Sequence, residues 1–192
     1  MKAFLLAIWE VAEIVLVSVV TVLLIRSFLI QPFLVSGASM EPNFASSNYL
    51  LVDEITYLLR NPQRGEVVVF KYPNDPSTYY IKRVIGLPGE RVEVKGGSVY
   101  VFEQDGTKRV FSEEDYLPAG LKTSGFSSVA LGEKDYFVLG DNRNYSYDSR
   151  SWGKLPRENI IGLARLRLFP VTQAKVFNYA NISDTFKLDA VK

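Results

Sequence analysis

The sequence of 192 residues contains no histidine and no cysteine. These two absences exclude a Ser-His-Asp triad, a Cys-His pair, the usual zinc sites and any disulfide bond. The net charge is only +1, which gives no reason to expect a nucleic acid or an acidic polymer as partner. A serine nucleophile in this chain would need a base other than histidine, and lysine is the natural candidate.

The chain has a single long apolar run, which lies at its beginning. Residues 4–25 are enough to cross a bilayer as a helix, at ~1.5 Å per residue and about 30 Å of hydrocarbon. A cleavable signal peptide is the competing interpretation, but Glu10 shortens the apolar region and no small-x-small cleavage site follows promptly. We therefore predict a retained membrane anchor. Lys2 before the span and Arg26 after it leave its orientation undecided.

After residue 42 the pattern becomes typical of β-strands. Short β-branched or aromatic runs alternate with Gly/Pro turns and predict strands at residues 49–52, 66–71, 79–85, 90–95, 98–102, 136–139 and 160–169. No helical period of comparable length follows the apolar run. The sequence predicts a mainly β fold, an antiparallel β-sheet domain preceded by one transmembrane helix.

Ser39 lies in the stretch Val-Ser-Gly-Ala-Ser-Met-Glu-Pro at residues 35–42. A serine between glycine and proline turn residues can be a nucleophile on a strained turn. Short turns of this composition are also common in ordinary loops. The stretch alone leaves both interpretations open.

Lys82 lies in the middle of a predicted strand. Alternation places Tyr80, Lys82 and Val84 on one face of that strand, and Ile81 and Arg83 on the other. One of the two cations must therefore point toward the apolar side. Lys82 is either a solvent-facing residue of an edge strand or a desolvated lysine with a lowered pKa, which could act as a base.

Residues 140–153, Gly-Asp-Asn-Arg-Asn-Tyr-Ser-Tyr-Asp-Ser-Arg-Ser-Trp-Gly, form the stretch richest in hydrogen-bonding side chains. Paired Asp and Arg can brace such a loop, and a serine hydroxyl can orient an amine. Ser151-Trp-Gly-Lys154 also matches the Ser-x-x-Lys motif of penicillin-recognising enzymes. The distant echoes of the companion motifs occur in the wrong order, so we set that interpretation aside.

Taken together, the anchor, Ser-Gly-Ala-Ser-Met-Glu-Pro, Lys-Arg-Val-Ile-Gly-Leu-Pro-Gly-Glu and Gly-Asp-Asn-Arg-x-x-Ser-x-Asp-Ser-Arg resemble a bacterial type I signal peptidase. These enzymes are membrane-bound serine endopeptidases. The resemblance implies that Ser39 is the nucleophile and Lys82 the general base. It also implies that Ser146 positions the lysine amine, while Asp148 and Arg150 brace the site.

The same resemblance implies the substrates and the location. The substrates would be signal peptides of exported preproteins, cleaved after small residues at the outer face of the cytoplasmic membrane, without a metal or cofactor. Membrane lipid would be a partner, approached by the apolar stretch at residues 28–35. Shallow apolar pockets for Ala-like side chains are expected from Val35, Met40, Tyr80 and Ile81.

Three positions depart from the usual pattern of that family. Gly37 stands where some relatives carry a serine that helps to stabilise the oxyanion, which leaves the backbone N–H of Ser39 as one expected donor. Asn43 and Asn144 replace a more usual Thr and Asp. Neither belongs to the predicted Ser/Lys pair, so activity is expected to survive both.

We predict three units: an anchor with a membrane-proximal segment at 1–34, a β-rich catalytic domain at 35–170, and a tail of unclear role at 171–192. A hairpin and loops are expected to be inserted at about 101–134. Two rival functions are a membrane-anchored binding module without catalysis and a self-cleaving regulatory Ser/Lys protease. The distance between the Ser39 hydroxyl and the Lys82 amine discriminates an enzyme from a binding module.

Overall fold

The computed structural model describes residues 2–28, 30–110, 113 and 116–179. Helix α1 (Lys2–Phe28) covers the apolar run predicted to be the anchor. Within the described part of the chain, no helix meets both the length and the apolar character needed to cross a membrane. The two other α-helices found there have four residues each, α2 (Thr56–Leu59) and α3 (Ser149–Trp152).

The described residues also form twelve β-strands, numbered here in chain order. They are β1 (Ile30–Leu34), β2 (Tyr49–Asp53), β3 (Val67–Tyr72), β4 (Asp75–Gly86), β5 (Arg91–Lys95), β6 (Ser98–Phe102), β7 (Lys108–Val110), β8 (Ser127–Ala130), β9 (Asp135–Leu139), β10 (Leu155–Pro156), β11 (Ile160–Phe169) and β12 (Lys175–Val176). All seven predicted strands are present, with ends that differ by a few residues. The mainly β fold is confirmed.

Two antiparallel sheets contain these strands. The larger sheet has eight strands in the order β1-β2-β11-β3-β4-β9-β10, with β12 paired to β11. The smaller sheet has four strands in the order β7-β6-β5-β8. The chain enters the smaller sheet from β4 and returns to the larger sheet through β9, so these two strands connect the halves of the fold.

The second half of β4 and most of β9 are buried on both faces. Val84 and Val138 belong to one hydrophobic core, while Ile85 and Phe137 belong to a second core beneath the smaller sheet. Because successive side chains of a strand point to opposite faces, adjacent residues enter different cores. This explains why Val84 and Ile85 of β4 and residues 136–139 of β9 are apolar in succession instead of alternating with polar residues.

The predicted division into three units remains a prediction, but the structure adds facts about its edges. β1 lies within residues 1–34 and pairs with β2 of the following unit. The smaller sheet includes β5 and β6 as well as strands from the region predicted as an insertion. Tyr179 is buried and donates a hydrogen bond to the carbonyl of Ala164 at 2.7 Å. Residues 180–192 of the predicted tail lie outside the described residues.

Candidate active site

The turn that carries Ser39 is attached to the first core on both sides of the serine. Val35 is 6% exposed and Met40 is fully buried, and both belong to that core. Gly37 has φ +92°, a left-handed conformation that favours glycine, which gives a backbone reason for glycine at this departure from the family pattern. With its neighbours fixed, Ser39 is held half-buried at the surface of the domain.

Lys82 reaches this turn from β4. Its Nζ lies 2.7 Å from the Ser39 hydroxyl and 2.9 Å from the Ile81 carbonyl. Lys82 is only 3% exposed. Its strand pairs with β3 on one side and with β9 on the other, so it is not an edge strand. Of the two open interpretations of Lys82, the structure supports the desolvated lysine.

The electrostatic environment of Lys82 favours its neutral form. Burial lowers the pKa of the Lys82 ammonium from 10.5 to about 8, because a charge loses hydration when it leaves water. The negative charges of Asp148 and Asp141 act in the opposite direction. Near neutral pH, a useful fraction of Lys82 is therefore a free amine that can accept a proton.

Arg83, the next residue of β4, is buried to the same extent, at 3% exposed. Its guanidinium forms two parallel hydrogen bonds with Asp141, from Nε at 2.8 Å and from a terminal nitrogen at 2.6 Å. A third bond of 2.8 Å reaches the Gly65 carbonyl, and the ring of Tyr116 lies 4.1 Å from the guanidinium carbon. Strand alternation predicts that one of the two cations faces the apolar side, and in the structure both are buried.

Asp148 and Arg150 form hydrogen bonds within the loop that starts at Gly140. Asp148 is fully buried and accepts hydrogen bonds from the backbone N–H of Gly140 at 3.0 Å and from the Arg150 guanidinium at 2.8 Å. It also caps α3 through the backbone N–H of Arg150. The structure thus brings these two residues together, and their role in bracing the site remains a prediction.

Ser146 lies beside the same loop but not in a hydrogen bond with Lys82. Its hydroxyl is buried and has no hydrogen-bond partner among the described residues. A Cβ added to Gly140 would approach this hydroxyl to 2.1 Å and the Ser39 carbonyl to 2.4 Å, so only glycine allows this close approach. The expected role of Ser146 in orienting the Lys82 amine remains a prediction.

Asn142 is a contact residue that sequence reasoning did not single out. Its backbone N–H donates to the Ser39 carbonyl at 3.0 Å, and its side-chain amide donates to the Ala38 carbonyl at 3.0 Å. The loop therefore holds the serine turn at the two backbone carbonyls that lie before and after the Cα of Ser39. The density of polar residues at 140–153 was the available signal, but it did not distinguish which side chain makes the contact.

Asn43, one of the departures from the family pattern, is also part of this framework. Its side-chain amide donates to Asp141 at 2.9 Å and to the Tyr116 carbonyl at 2.7 Å. Asn43 therefore adds a third donor to the carboxylate that already pairs with Arg83. Asn144, by contrast, is exposed to solvent.

A cavity of about 330 Å³ opens beside the Ser39 and Lys82 pair. Three of the four predicted pocket residues line it, namely Val35, Tyr80 and Ile81. The structure places Met40 elsewhere, because this side chain is fully buried in the core, where its sulfur accepts a hydrogen bond from the Asp141 N–H at 3.4 Å. Met40 thus supports the turn from the protein interior and does not contribute to the cavity wall.

A serine hydroxyl bonded to a buried lysine at the wall of an open cavity defines a class of site, that of a serine hydrolase with an amine base. The Ser-x-x-Lys match at residues 151–154 does not form such a pair. Ser151 is exposed and Lys154 forms a salt bridge with Asp135 at 3.2 Å.

Comparison with known proteins identifies the family. Residues 8–169 match the family described as "Signal peptidase, peptidase S26". The chain belongs to this family and is a serine endopeptidase that removes signal peptides from preproteins.

Curated relatives agree with this assignment over most of the chain. "Probable signal peptidase I-2" of Synechocystis is 38% identical over 84% of this chain and 73% of its own length. "Signal peptidase I" of Leptolyngbya laminosa is 39% identical over 81% and 77%, and "Signal peptidase I" of Bacillus licheniformis is 32% identical over 88% and 92%. A solved signal peptidase I from Enterococcus faecalis aligns with a TM-score of 0.44 and 28% identity, over 54% of this chain and 97% of that chain.

Proposed function

We propose that Ser39 is the nucleophile of this signal peptidase and that neutral Lys82 is its general base. The observation that carries the proposal is the 2.7 Å hydrogen bond between the Ser39 hydroxyl and Lys82 Nζ. General bases need this reach to remove a proton during attack. The burial that lowers the pKa of Lys82 to about 8 supplies the free amine that the role requires.

In the first half of the reaction, the Ser39 oxygen attacks the scissile carbonyl while Lys82 takes the hydroxyl proton. The C–O bond forms, the carbonyl becomes an oxyanion, and the Ser39 backbone N–H is one donor to it. The ammonium of Lys82 then protonates the departing amine as the C–N bond breaks. An ester between Ser39 and the signal peptide remains.

In the second half, water hydrolyses this ester with Lys82 as base again. Lys82 takes a proton from the water, and the resulting ammonium gives it to the Ser39 oxygen as the ester C–O bond breaks, so the pair returns to its initial state without a metal or cofactor. Asp148 and Arg150 fix the loop beside the pair, and Ser146 orients the lysine amine once substrate fills the site. A Cβ built on Gly140 would meet both the Ser146 hydroxyl and the Ser39 carbonyl, so Ser146 lies near the Ser39 turn, which supports that last role.

The signal peptide binds as an extended strand beside β4 and the segment that follows β1. Val35, Tyr80 and Ile81 line the cavity there, and their apolar surfaces leave shallow space for Ala-like side chains before the scissile bond. Main-chain hydrogen bonds would supply affinity, and the size of the pockets would supply specificity.

We also propose that α1 is a retained, single-pass anchor and that the β-domain lies outside the cytoplasm, on the cytoplasmic membrane. Its apolar side chains support an apolar environment, since Trp9 is 71%, Ile14 is 66% and Leu16 is 64% exposed. β1 follows the helix after one residue, which keeps the domain and its cavity close to lipid. The anchor, the catalytic domain and the tail keep the boundaries predicted above.

Replacement of the nucleophile tests the catalytic assignment. Ser39→Ala should abolish cleavage of a preprotein in detergent, while its urea unfolding midpoint stays that of the parent, because a half-buried hydroxyl contributes little to stability. Ser151→Ala is the matched control. It removes the exposed serine of the Ser-x-x-Lys match at residues 151–154, and this variant should cleave normally. Cleavage by Ser39→Ala would contradict the assignment.

Protease accessibility tests the proposed placement. Protease added to intact spheroplasts should digest the β-domain, because that domain is exposed at the outer face. A cytoplasmic reporter in the same spheroplasts should stay intact. Complete protection of the β-domain would overturn this topology.

A further inference from the structure

Two exposed tyrosines flank Ser146 and line the cavity that holds Ser39 and Lys82. Tyr145 is 79% exposed and Tyr147 is 52% exposed, whereas the hydroxyl of Ser146 between them is buried. Neither aromatic side chain belongs to either hydrophobic core, so core packing does not explain its presence. A pair of such side chains at the mouth of a cavity is typical of a binding surface.

The ring of Tyr147 is held in place before any substrate binds. Its hydroxyl lies 3.1 Å from the hydroxyl of Tyr72, and the two rings meet edge to face at 6.0 Å. Tyr72 itself packs against Tyr80 at 5.0 Å and Trp152 at 5.9 Å. Such an aromatic cluster fixes the orientation of Tyr147, which reduces the entropy lost when a substrate contacts it.

Tyr145 is positioned through the backbone instead. Its N–H donates to the Asn142 carbonyl at 3.1 Å, and Asn142 in turn binds the carbonyls of Ala38 and Ser39. The loop carrying Tyr145 is thus tied directly to the residue that attacks the substrate. A shift of this loop would also move the serine turn.

The direction of the cleft decides which part of a substrate meets these rings. Its two walls approach each other at the rings of Phe33 and Tyr79, 5.5 Å apart, and again at Ser39 and Lys82. Phe33 follows α1 by only five residues, so this end of the cleft lies toward the anchor. The signal peptide, which remains close to the membrane, occupies the walls before the reacting pair. The loop of the two tyrosines meets the serine turn at the carbonyls of Ala38 and Ser39, so it lies at the Ser39 end of the cleft, where the chain after the scissile bond continues.

We infer that Tyr145 and Tyr147 form an aromatic subsite for the first residues of the mature protein, on the far side of the scissile bond from the signal peptide. The inference rests on the proposed roles of Ser39 and Lys82. The tyrosines stand two positions apart, so their rings can flank one substrate side chain. Apolar and aromatic side chains gain contact with ring faces, whereas acidic side chains meet their partial negative charge.

The test uses the full-length protein in detergent and one preprotein, varied to Phe, Leu, Gly or Glu at the first and second positions after the scissile bond. The parent should cleave the Phe and Leu substrates with a higher kcat/KM than the Gly and Glu substrates. Tyr145→Ala and Tyr147→Ala should each reduce that preference by about three- to tenfold, which is the range for one lost aromatic contact. Tyr145→Phe should retain the preference, because it keeps the ring.

Two controls separate this inference from the proposed catalytic roles. Phe126→Ala removes another exposed aromatic side chain, 74% exposed and outside the cavity lining, and should leave the preference unchanged. Selectivity for the residue before the scissile bond should also be unchanged in the tyrosine variants.

Unaltered preferences in active tyrosine variants would overturn the inference and leave Ser39 and Lys82 in their roles. Altered selectivity before the scissile bond would overturn the assignment to the mature side. A parent that cleaves none of the substrates would overturn the inference and the proposed function together.

Discussion

Lys82 and Arg83 are neighbours on β4, each 3% exposed, yet their surroundings differ on the two faces of the strand. On one face, Lys82 donates hydrogen bonds to a hydroxyl and a carbonyl, both uncharged. On the other face, Arg83 forms two hydrogen bonds with the carboxylate of Asp141. Within the described part of the chain, Lys82 forms no salt bridge.

The difference shows two outcomes of burial: it shifts a titratable lysine toward its neutral form, whereas a guanidinium stays charged and needs a paired carboxylate to compensate its buried charge. Burial disfavours the charge of both residues. For Arg83, the Asp141 carboxylate outweighs burial and holds the pKa above its ordinary value. For Lys82, burial outweighs the more distant carboxylates and lowers the pKa to about 8. One strand thus carries a lysine that can lose its proton near neutral pH on one face, and a permanently charged arginine on the other.

Lys82→Arg is the strongest test, because it places a permanent cation where no carboxylate pairs with it. A guanidinium cannot be deprotonated in this pH range, so it cannot accept the Ser39 proton. Loss of a general base typically reduces the rate by about 10²–10⁴-fold, and we expect at least such a decrease in kcat/KM for preprotein cleavage. Lys154→Arg changes a half-exposed lysine in the same way and should retain activity.

Substantial activity in Lys82→Arg would remove the general base from the mechanism. It would also show that the two faces of β4 do not differ in the way described. A circular dichroism spectrum matching that of the parent would ensure that the variant is folded.

Asp141→Asn tests the other face by removing the charge that pairs with Arg83. The guanidinium then remains buried without a counter-charge, a change that typically destabilises a protein by about 3–5 kcal/mol. The free energy of unfolding in urea should fall by that amount. Glu93→Gln, which removes the partner of half-exposed Arg91 at 3.6 Å, should change it by less than about 1 kcal/mol.

A double replacement of Arg83 and Asp141 by Met and Leu sharpens this second prediction. Because no unpaired charge remains, much of the lost stability should return. If Asp141→Asn unfolds at the same urea concentration as the parent, the ion pair is not what allows Arg83 to be buried.

Sequence patterns predicted the strands of this fold well where the pattern was local. β6 and β11 have the predicted boundaries, since β-branched runs between turn residues depend on neighbouring residues alone. β1 was missed because it continues the apolar run and contains Pro32. β10 and β12 have two residues each and exist only through their partners β9 and β11, which no local period reveals.

The candidate site shows the same division between local and distant information. Alternation assumed one solvent face for β4 and therefore could not foresee that Lys82 and Arg83 are both buried. The pair of Ser39 and Lys82 was assigned through resemblance to a family, not through periodicity. Asn142, Tyr145 and Tyr147 were missed as site residues, because Asn142 contacts residues about a hundred positions away and the tyrosines matter only where their loop meets the cavity.

The change of kcat/KM with pH is the smallest of the expected effects. It is also the most direct measure of how Lys82 and Arg83 differ on the two faces of β4. With a pKa of about 8, roughly a tenth of Lys82 is neutral at pH 7 and roughly nine tenths at pH 9. Since only the neutral amine can take the Ser39 proton, kcat/KM should rise about tenfold over this interval and then level off. Arg83 contributes nothing to the profile, because its guanidinium stays charged throughout.

The same lowered pKa predicts the direction of a stability change. Between pH 8 and 10.5 the unfolded chain binds a proton on Lys82 that the folded chain does not. The free energy of unfolding should therefore increase with pH across this window, and Lys82→Met should lose that contribution.

A rate that is flat from pH 7 to 9, or that rises only near 10.5, would mean that Lys82 titrates like an exposed lysine. Burial without a paired carboxylate would then fail to explain how this chain obtains a base without histidine.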